Sequence, residues 1–168
     1  MSQPSEADLA AVAAQLGRPP RSVESIAYRC PCGLPAVTAT RPRLDDGTPF
    51  PTTYYLTCPR ASGAVGTLEA SGLMKEMTQR LGQDPELAEH YERAHQAYLT
   101  DRAALGEVPE IEGVSAGGMP TRVKCLHVHL AHALAAGPGV NPIGDETREA
   151  VGEWWARGCC VTPPEEDS

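Results

Sequence analysis

Four cysteines stand where folding could bring their sulfur atoms together. Cys30 and Cys32 flank a proline in RCPCG, Cys58 follows YYLT, and Cys125 precedes LHVHLAH. Convergent thiolates suit zinc or an iron-sulfur cluster, because both centres favour soft sulfur ligands. The chain lacks the C-x-x-C pairs usual in zinc sites, whereas a proline after cysteine, as at Cys30 and Cys58, is typical of ferredoxins. We therefore predict a four-cysteine metal site, slightly favouring iron-sulfur and leaving zinc open.

The same thiols have two simpler interpretations, as small buried hydrophobic residues or as a reactive thiol with a nearby base. At 100° per residue, a helix would put Cys125, His129 and His132 on one face. The two histidines are therefore candidate general bases, replacement metal ligands, or residues that hydrogen-bond to the metal ligands. The simpler interpretation is that they form a partly exposed polar face. His127 points toward the apolar face and is interpreted as a core histidine.

Basic residues lie next to the candidate ligands in the sequence. They would offset the negative charge of a thiolate site or bind a small anionic ligand. These residues are Arg29, Arg60, Arg122 and Lys124. Cys159 and Cys160 follow Gly158 near the end of the chain and are left outside the predicted site.

Short runs rich in Val, Thr and Tyr predict three antiparallel strands near residues 22–29, 34–40 and 52–57. The CPCG segment and the Asp45-Asp46-Gly47 segment have the composition of turns. If both connections are hairpins, Cys58 reaches the same end of the sheet as Cys30 and Cys32. The strands would therefore gather three of the four predicted ligands.

Apolar spacing and capping residues predict helices along the rest of the chain. The predicted ranges are 7–16, 68–81, 84–98, 123–136 and 145–157. His90 and His95 are interpreted as surface residues of the third helix, and the Gly- and Pro-containing segment 106–120 as a loop. We expect one α+β domain over residues 1–160, with a small three-stranded sheet (22–58) packed on a helical bundle (61–157) and a disordered tail, 161–168.

Composition narrows the class of protein. The chain has 168 residues, a net charge of -8 and 41% apolar residues, so one globular domain is expected. The acidic balance argues against nucleic-acid and membrane-surface partners. No run is long and apolar enough to span a bilayer, and the N-terminus lacks a basic signal region. We expect a cytoplasmic protein, in which six cysteines favour metal binding or thiol chemistry over disulfides.

Several long strings in the chain resemble one bacterial family, a domain of unknown function numbered five hundred and one. The resemblance covers about residues 7–160. It implies a cytosolic bacterial protein, often encoded near exopolyphosphatase-like and septum-formation-like genes, and it supplies no activity, substrate or cofactor. The strings are AYRCPCGLPAV, LDDGTPFPTTYYLTCPR, LEASGLMKEM, GGMPTRVKCLHVHLAHALAAGPGVNPIGD and EWW.

Three functional hypotheses follow. The first is an uncharacterised metal-binding protein with zinc or an iron-sulfur cluster on the four cysteines. The second is a metal-free thiol enzyme that uses Cys125 or Cys58 with His129 or His132 on an anionic substrate. The third is an interaction module with the Trp154-Trp155 pair and the 106–120 loop as its surface, although Trp154 is expected in the core. Whether the protein is an enzyme stays open.

Overall fold

The computed structural model describes residues 3–162. The predicted disordered tail, 161–168, therefore lies outside the described residues except for its first two. The first helix, α1, spans Glu6–Leu16. The Ser5 side chain accepts a hydrogen bond from the Asp8 amide, and the Asp8 carboxylate accepts one from the Ser5 amide. This reciprocal cap, with left-handed Gly17 after the last turn, confirms the predicted helix.

A three-stranded antiparallel sheet follows, with β1 at Val23–Arg29, β2 at Pro35–Thr40 and β3 at Tyr54–Leu56. The central strand is β2, and all of its residues are buried. The start of β2 is bonded on both sides. Cys30 N, just after β1, donates to Leu34 O, and Thr57 N, just after β3, donates to Ala36 O. The CPCG turn and Cys58 therefore reach the same end of the sheet, as predicted.

Helices make up most of the remaining chain, and their boundaries differ from several of the predicted ranges. The helix predicted at 68–81 is two helices, because left-handed Gly72 (φ 84°) interrupts it. The first of them begins at Pro59, directly after Cys58. The ranges are Pro59–Ala70 for α2, Leu73–Gln83 for α3, Pro85–Leu105 for α4, Leu126–Ala136 for α5 and Pro142–Val151 for α6.

Capping chemistry explains where the later helices start. Asp84 caps α4 by accepting from the amides of Glu86 and Leu87, as expected. The last helix was expected at 145–157, but it ends at Val151, where Gly152 follows. It starts at Pro142, since the Asn141 side chain accepts from Gly144 N and caps the helix. Asp145 instead accepts a hydrogen bond from Gly139 N.

The core lies between the sheet and the helices. Strand β3 and helix α6 both pack on α5, the most apolar helix. Segment 106–120 is a loop, as predicted, with one short 3-10 helix at Pro109–Ile111. Trp154 is buried, which agrees with its expected core position. The architecture is α+β. Among helices within residues 3–162, none is long and apolar enough to cross a membrane.

Candidate functional site

Three potential ligand atoms converge between α2 and the start of α5. They are a carboxylate oxygen of Glu69, the Cys125 sulfur and a ring nitrogen of His127, and all lie within 4.8 Å of one another. Glu69 lies in the last turn of α2, Cys125 is the N-cap residue of α5, and His127 lies in its first turn. Two helix ends that meet in the fold thus build a group that we call the Glu-Cys-His site.

Hydrogen bonds fix the ring of His127 within this site. Its Nδ1 lies 2.5 Å from Glu69 Oε1, and its Nε2 donates to Ser62 O at 3.2 Å. The Cys125 sulfur lies 4.0 Å from each of the other two ligand atoms. The same Glu69 oxygen accepts from Leu126 N at 3.2 Å. Because Nε2 of His127 donates to the Ser62 carbonyl, Nδ1 is the ring nitrogen that faces the Glu69 carboxylate and the Cys125 thiol.

Electrostatics favour the charged forms of Cys125 and His127. Burial alone would raise the pKa of the Cys125 thiol, but hydrogen bonds from the His127 ring and from the amides of Val128 and His127 outweigh burial and lower it. The hydrogen bond with Cys125, assisted by Glu69, raises the pKa of His127 to about 9 against an opposing burial effect. A carboxylate and a thiol of lowered pKa thus face one ring nitrogen that holds a proton.

The position of Cys125 corrects the four-cysteine prediction. Cys125 has an extended backbone (φ -150°, ψ 117°), and the helix begins one residue later. The helical angle that aligned it with His129 and His132 therefore does not apply, and its partner is His127. His127 itself is half-buried in this site rather than a core residue. Among residues 3–162, no three cysteine sulfurs lie within 4.8 Å of one another.

The other five cysteines gather at the end of the sheet that carries the CPCG turn. Cys159 Sγ donates to Cys32 O at 3.4 Å, and the thiols of Cys32 and Cys159 interact. A second interaction joins the buried Cys58 thiol to Cys160, and burial together with this neighbour raises the pKa of Cys58 to about 12. We call this set, Cys30, Cys32, Cys58, Cys159 and Cys160, the sheet-end thiol cluster.

His129 and His132 lie in the core rather than on a polar face, because both are fully buried. The Asn141 amide donates to Nδ1 of each ring, at 3.0 and 3.1 Å. Burial lowers the pKa of both rings to about 4, so they are neutral near pH 7. Neither ring is exposed to a dissolved substrate, so the arrangement does not support the predicted role as general bases. They form a structural network instead.

Aromatic rings surround this histidine pair. The ring of His132 stacks on Tyr54 and meets the edge of Tyr98, with centroids 5.9 and 5.1 Å away. His129 Nε2 lies 2.9 Å from the Tyr91 hydroxyl and 3.0 Å from Gly117 O. These contacts fix α5 against β3 and α4, and thereby the position of the Glu-Cys-His site at the start of α5.

Two other histidines were predicted at the surface. His95 is instead buried, with Nδ1 2.7 Å from Ser115 Oγ. His90 is partly exposed, and its Nε2 donates to Gly139 O at 2.8 Å. The buried contact of His95 anchors the 106–120 loop to α4.

The four predicted anion-binding residues lie in different surroundings. Arg29 forms a two-bond contact with the Asp8 carboxylate, at 2.8 and 2.9 Å. Arg60 donates to Cys159 O at 3.3 Å, which connects it to the sheet-end thiol cluster. Arg122 and Lys124 are exposed just before Cys125. Only this last pair lies on the segment that leads into the Glu-Cys-His site, and anion binding by all four stays a prediction.

Comparison with known families decides the affiliation of the chain. The family described as "Protein of unknown function (DUF501)" matches residues 26–149. The chain belongs to this family. The predicted resemblance is thereby confirmed, while no curated protein and no solved structure matches the chain.

The DUF501 segment contains all three residues of the Glu-Cys-His site. It also contains three members of the sheet-end thiol cluster, whereas Cys159 and Cys160 lie beyond its end. The Glu-Cys-His site therefore lies within the matched segment, whereas the thiol cluster extends beyond it.

Sequence reasoning did not identify Glu69. It lies 58 residues before His127, and the helix around it carries no motif that predicts a ligand. The C-x-H spacing of Cys125 and His127 was the available signal, since a cysteine just before a helix and a first-turn histidine can face one point. Asn141 was missed because Asp145 offered a second plausible cap.

Proposed function

We propose that the protein binds one divalent transition-metal ion of the zinc class through Glu69, Cys125 and His127. The observation that carries this proposal is the convergence of oxygen, sulfur and nitrogen atoms within 4.8 Å, the donor set that zinc accepts. The mixed donors favour zinc over an iron-sulfur cluster, which is usually held by four thiolates.

Charge supports a cation at this position. Without a metal, the Nδ1 proton of His127 lies between a carboxylate and a thiol of lowered pKa. Replacing that proton with a divalent cation would balance the two anionic ligands. Ser62 O would still accept the Nε2 hydrogen, the outer contact that commonly orients a metal-binding histidine.

The fit requires one adjustment. Zinc bonds of about 2.0–2.1 Å at tetrahedral angles place oxygen and nitrogen ligands roughly 3.3 Å apart, whereas Glu69 Oε1 and His127 Nδ1 are 2.5 Å apart. Both side chains are partly exposed, at 24% and 33%, so their rotamers have room to open. In the same adjustment the Cys125 sulfur would move from 4.0 Å to roughly 3.5 Å from both atoms, the separation that a Zn–S bond of about 2.3 Å requires.

Three protein ligands leave a fourth position for water, the pattern of catalytic rather than structural zinc. A zinc ion held by these three residues would supply Lewis-acid activation of water for attack on carbonyl or phosphoryl groups. Exposed Arg122 and Lys124, on the segment leading to Cys125, would attract an anionic substrate. We therefore infer metal-assisted hydrolysis of a small anionic compound as the reaction class.

A second candidate function uses the same residues without metal. Cys125 at the N-terminus of α5, beside the His127 ring, has the surroundings of a nucleophilic thiolate. However, Glu69 and Cys125 approach the same ring nitrogen, whereas in a thiol-histidine-acid triad they contact opposite nitrogens. This geometry favours the metal ion.

Cobalt substitution tests the proposal. The metal-free protein titrated with Co²⁺ should show one equivalent of tetrahedral cobalt with a sulfur-to-cobalt charge-transfer band. The band should disappear in Cys125→Ser and persist in Cys159→Ser, since Cys159 belongs to the other cluster. Absence of the band in the folded wild-type protein, together with rapid alkylation of Cys125, would favour the metal-free thiol enzyme.

A further inference from the structure

The sheet-end thiol cluster is assembled from three separate parts of the chain. Cys30 and Cys32 come from the turn after β1, Cys58 is the N-cap residue of α2, and Cys159 and Cys160 follow the last helix. Its members interact in a chain of neighbours rather than around one point, since no three sulfurs lie within 4.8 Å of one another. Such pairwise contacts suit disulfide chemistry better than tetrahedral metal binding.

Specific hydrogen bonds hold the C-terminal segment against the turn. Cys159 Sγ donates to Cys32 O at 3.4 Å, and Arg60 Nε donates to Cys159 O at 3.3 Å. The Gln15 amide donates both to Pro35 O at 2.7 Å and to Cys160 Sγ at 3.3 Å. The Cys159 thiol is therefore positioned next to Cys32 by contacts on both sides of it.

The thiols of this cluster differ in reactivity. Burial would raise the pKa of Cys32, but hydrogen bonds from Cys159 and from the backbone amide of Leu34 lower it overall. Burial raises the pKa of Cys30, and the hydrogen bond with Cys32 raises that of Cys159 to about 11. Cys32 is partly exposed, whereas Cys30 is buried. A partly exposed thiol of lowered pKa beside a thiol of raised pKa is the arrangement of a redox-active pair.

We propose that Cys32 and Cys159 form a redox-active dithiol that reacts with low-molecular-weight disulfides and fastens the C-terminal segment to the turn after β1. The Cys32 thiolate attacks one sulfur of the small disulfide, forms a mixed disulfide and releases one small thiolate. The Cys159 thiol then gives its proton to that thiolate, and its sulfur attacks Cys32 and displaces the second small thiolate. Two electrons thus pass from the dithiol to the small disulfide. The second small thiolate takes up from solvent the proton that Cys32 had released, so the products are two small thiols and the Cys32-Cys159 disulfide.

Cys159 is a better second thiol than Cys30 or Cys58. It already contacts Cys32, and the Arg60 side chain holds its backbone oxygen beside the turn. Cys30 is buried next to Trp154, and Cys58 interacts with Cys160 instead. The turn after β1 therefore carries one reactive thiol, Cys32, and one thiol protected by burial, Cys30.

Oxidised glutathione serves as the probe for this reaction. Cys30 and Cys32 fall in one tryptic peptide, and so do Cys159 and Cys160, so the test uses the full chain carrying Cys30→Ala and Cys160→Ala. After oxidation, mass spectrometry should find the two peptides joined with the loss of two hydrogens. Adding Cys159→Ser should stop the reaction at a glutathione adduct on Cys32, whereas adding Cys32→Ser should leave Cys159 without an adduct, because Cys32 is the thiol that attacks first.

Matched measurements keep the test decisive. In the wild-type protein, a brief pulse of iodoacetamide should label Cys32 several-fold faster than Cys30 or Cys58. This measurement does not depend on any variant folding correctly. The Cys125→Ser variant should form the Cys32-Cys159 bond normally, which separates this proposal from that of the metal site. A Cys32 that is labelled no faster than the buried thiols, an oxidation that yields no joined peptides, or a glutathione adduct that forms on Cys159 after Cys32→Ser would overturn the proposal.

Discussion

The Glu69 carboxylate lies 2.5 Å from Nδ1 of His127, and this contact joins the end of α2 to the start of α5. Because Ser62 O binds the other ring nitrogen, the histidine presents a single nitrogen toward both Glu69 and Cys125. The contact thus determines which ring nitrogen is available to a metal ion.

The Glu69→Gln variant is expected to weaken zinc binding at least tenfold, because the amide removes a negative charge and a strong oxygen ligand. Competition with a chromophoric chelator measures the affinity. The matched control is Glu149→Gln, an exposed residue of α6 that should bind zinc like the wild-type protein. Equal affinities for both variants would remove Glu69 from the site.

The Asn141→Asp variant is expected to lower the free energy of unfolding by about 2–4 kcal/mol at pH 7. Its oxygen can still cap α6, but the carboxylate offers no N–H to Nδ1 of His129 and His132 and places a buried charge beside them. Urea unfolding measures the change. Asp145→Asn, a partly exposed position, should cost less than about 1 kcal/mol. A small loss in both variants would mean that the histidine network contributes little.

Local signals predicted much of the fold. The starts of α1 and α4 and the turn before β2 depend on capping and turn residues that act over a few positions, so the sequence alone located them. The Glu-Cys-His site depends on contact between distant helix ends, and no local pattern encodes it. The alignment of Cys125 with His129 failed because a single extended residue before α5 changes the direction of the side chain.

Close packing between α5 and α6 gives a prediction at Gly144. A Cβ atom at this position would lie 2.1 Å from the backbone oxygen of His129, so Gly144→Ala must push the helices apart. We expect a loss of several kcal/mol, as for overpacked cores. Gly66→Ala is the control, since its Cβ meets open space in α2 and should stabilise by roughly 0.5–1 kcal/mol. Thermal melting of both variants checks the difference, and a Gly144→Ala melting temperature equal to the wild-type value would contradict the packing.

The Asp8-Arg29 pair predicts acid sensitivity. The hydrogen bond with Arg29, with backbone help from Ser5, lowers the pKa of Asp8 from 3.8 to about 2 against the effect of burial. The pair's contribution is therefore fully present above pH 3.8 and is lost as the pH falls toward 2. Asp8→Asn should flatten the fall in stability across this range. Parallel stability curves for the variant and the wild-type protein would argue against the pair.

Zinc content after saturation and gel filtration tests the central claim most directly. The wild-type chain and Cys159→Ser should each retain one zinc ion per chain in elemental analysis, while folded Cys125→Ser should retain almost none. Zinc retained at full stoichiometry by Cys125→Ser, or absent from the folded wild-type protein, would contradict a metal site at Glu69, Cys125 and His127.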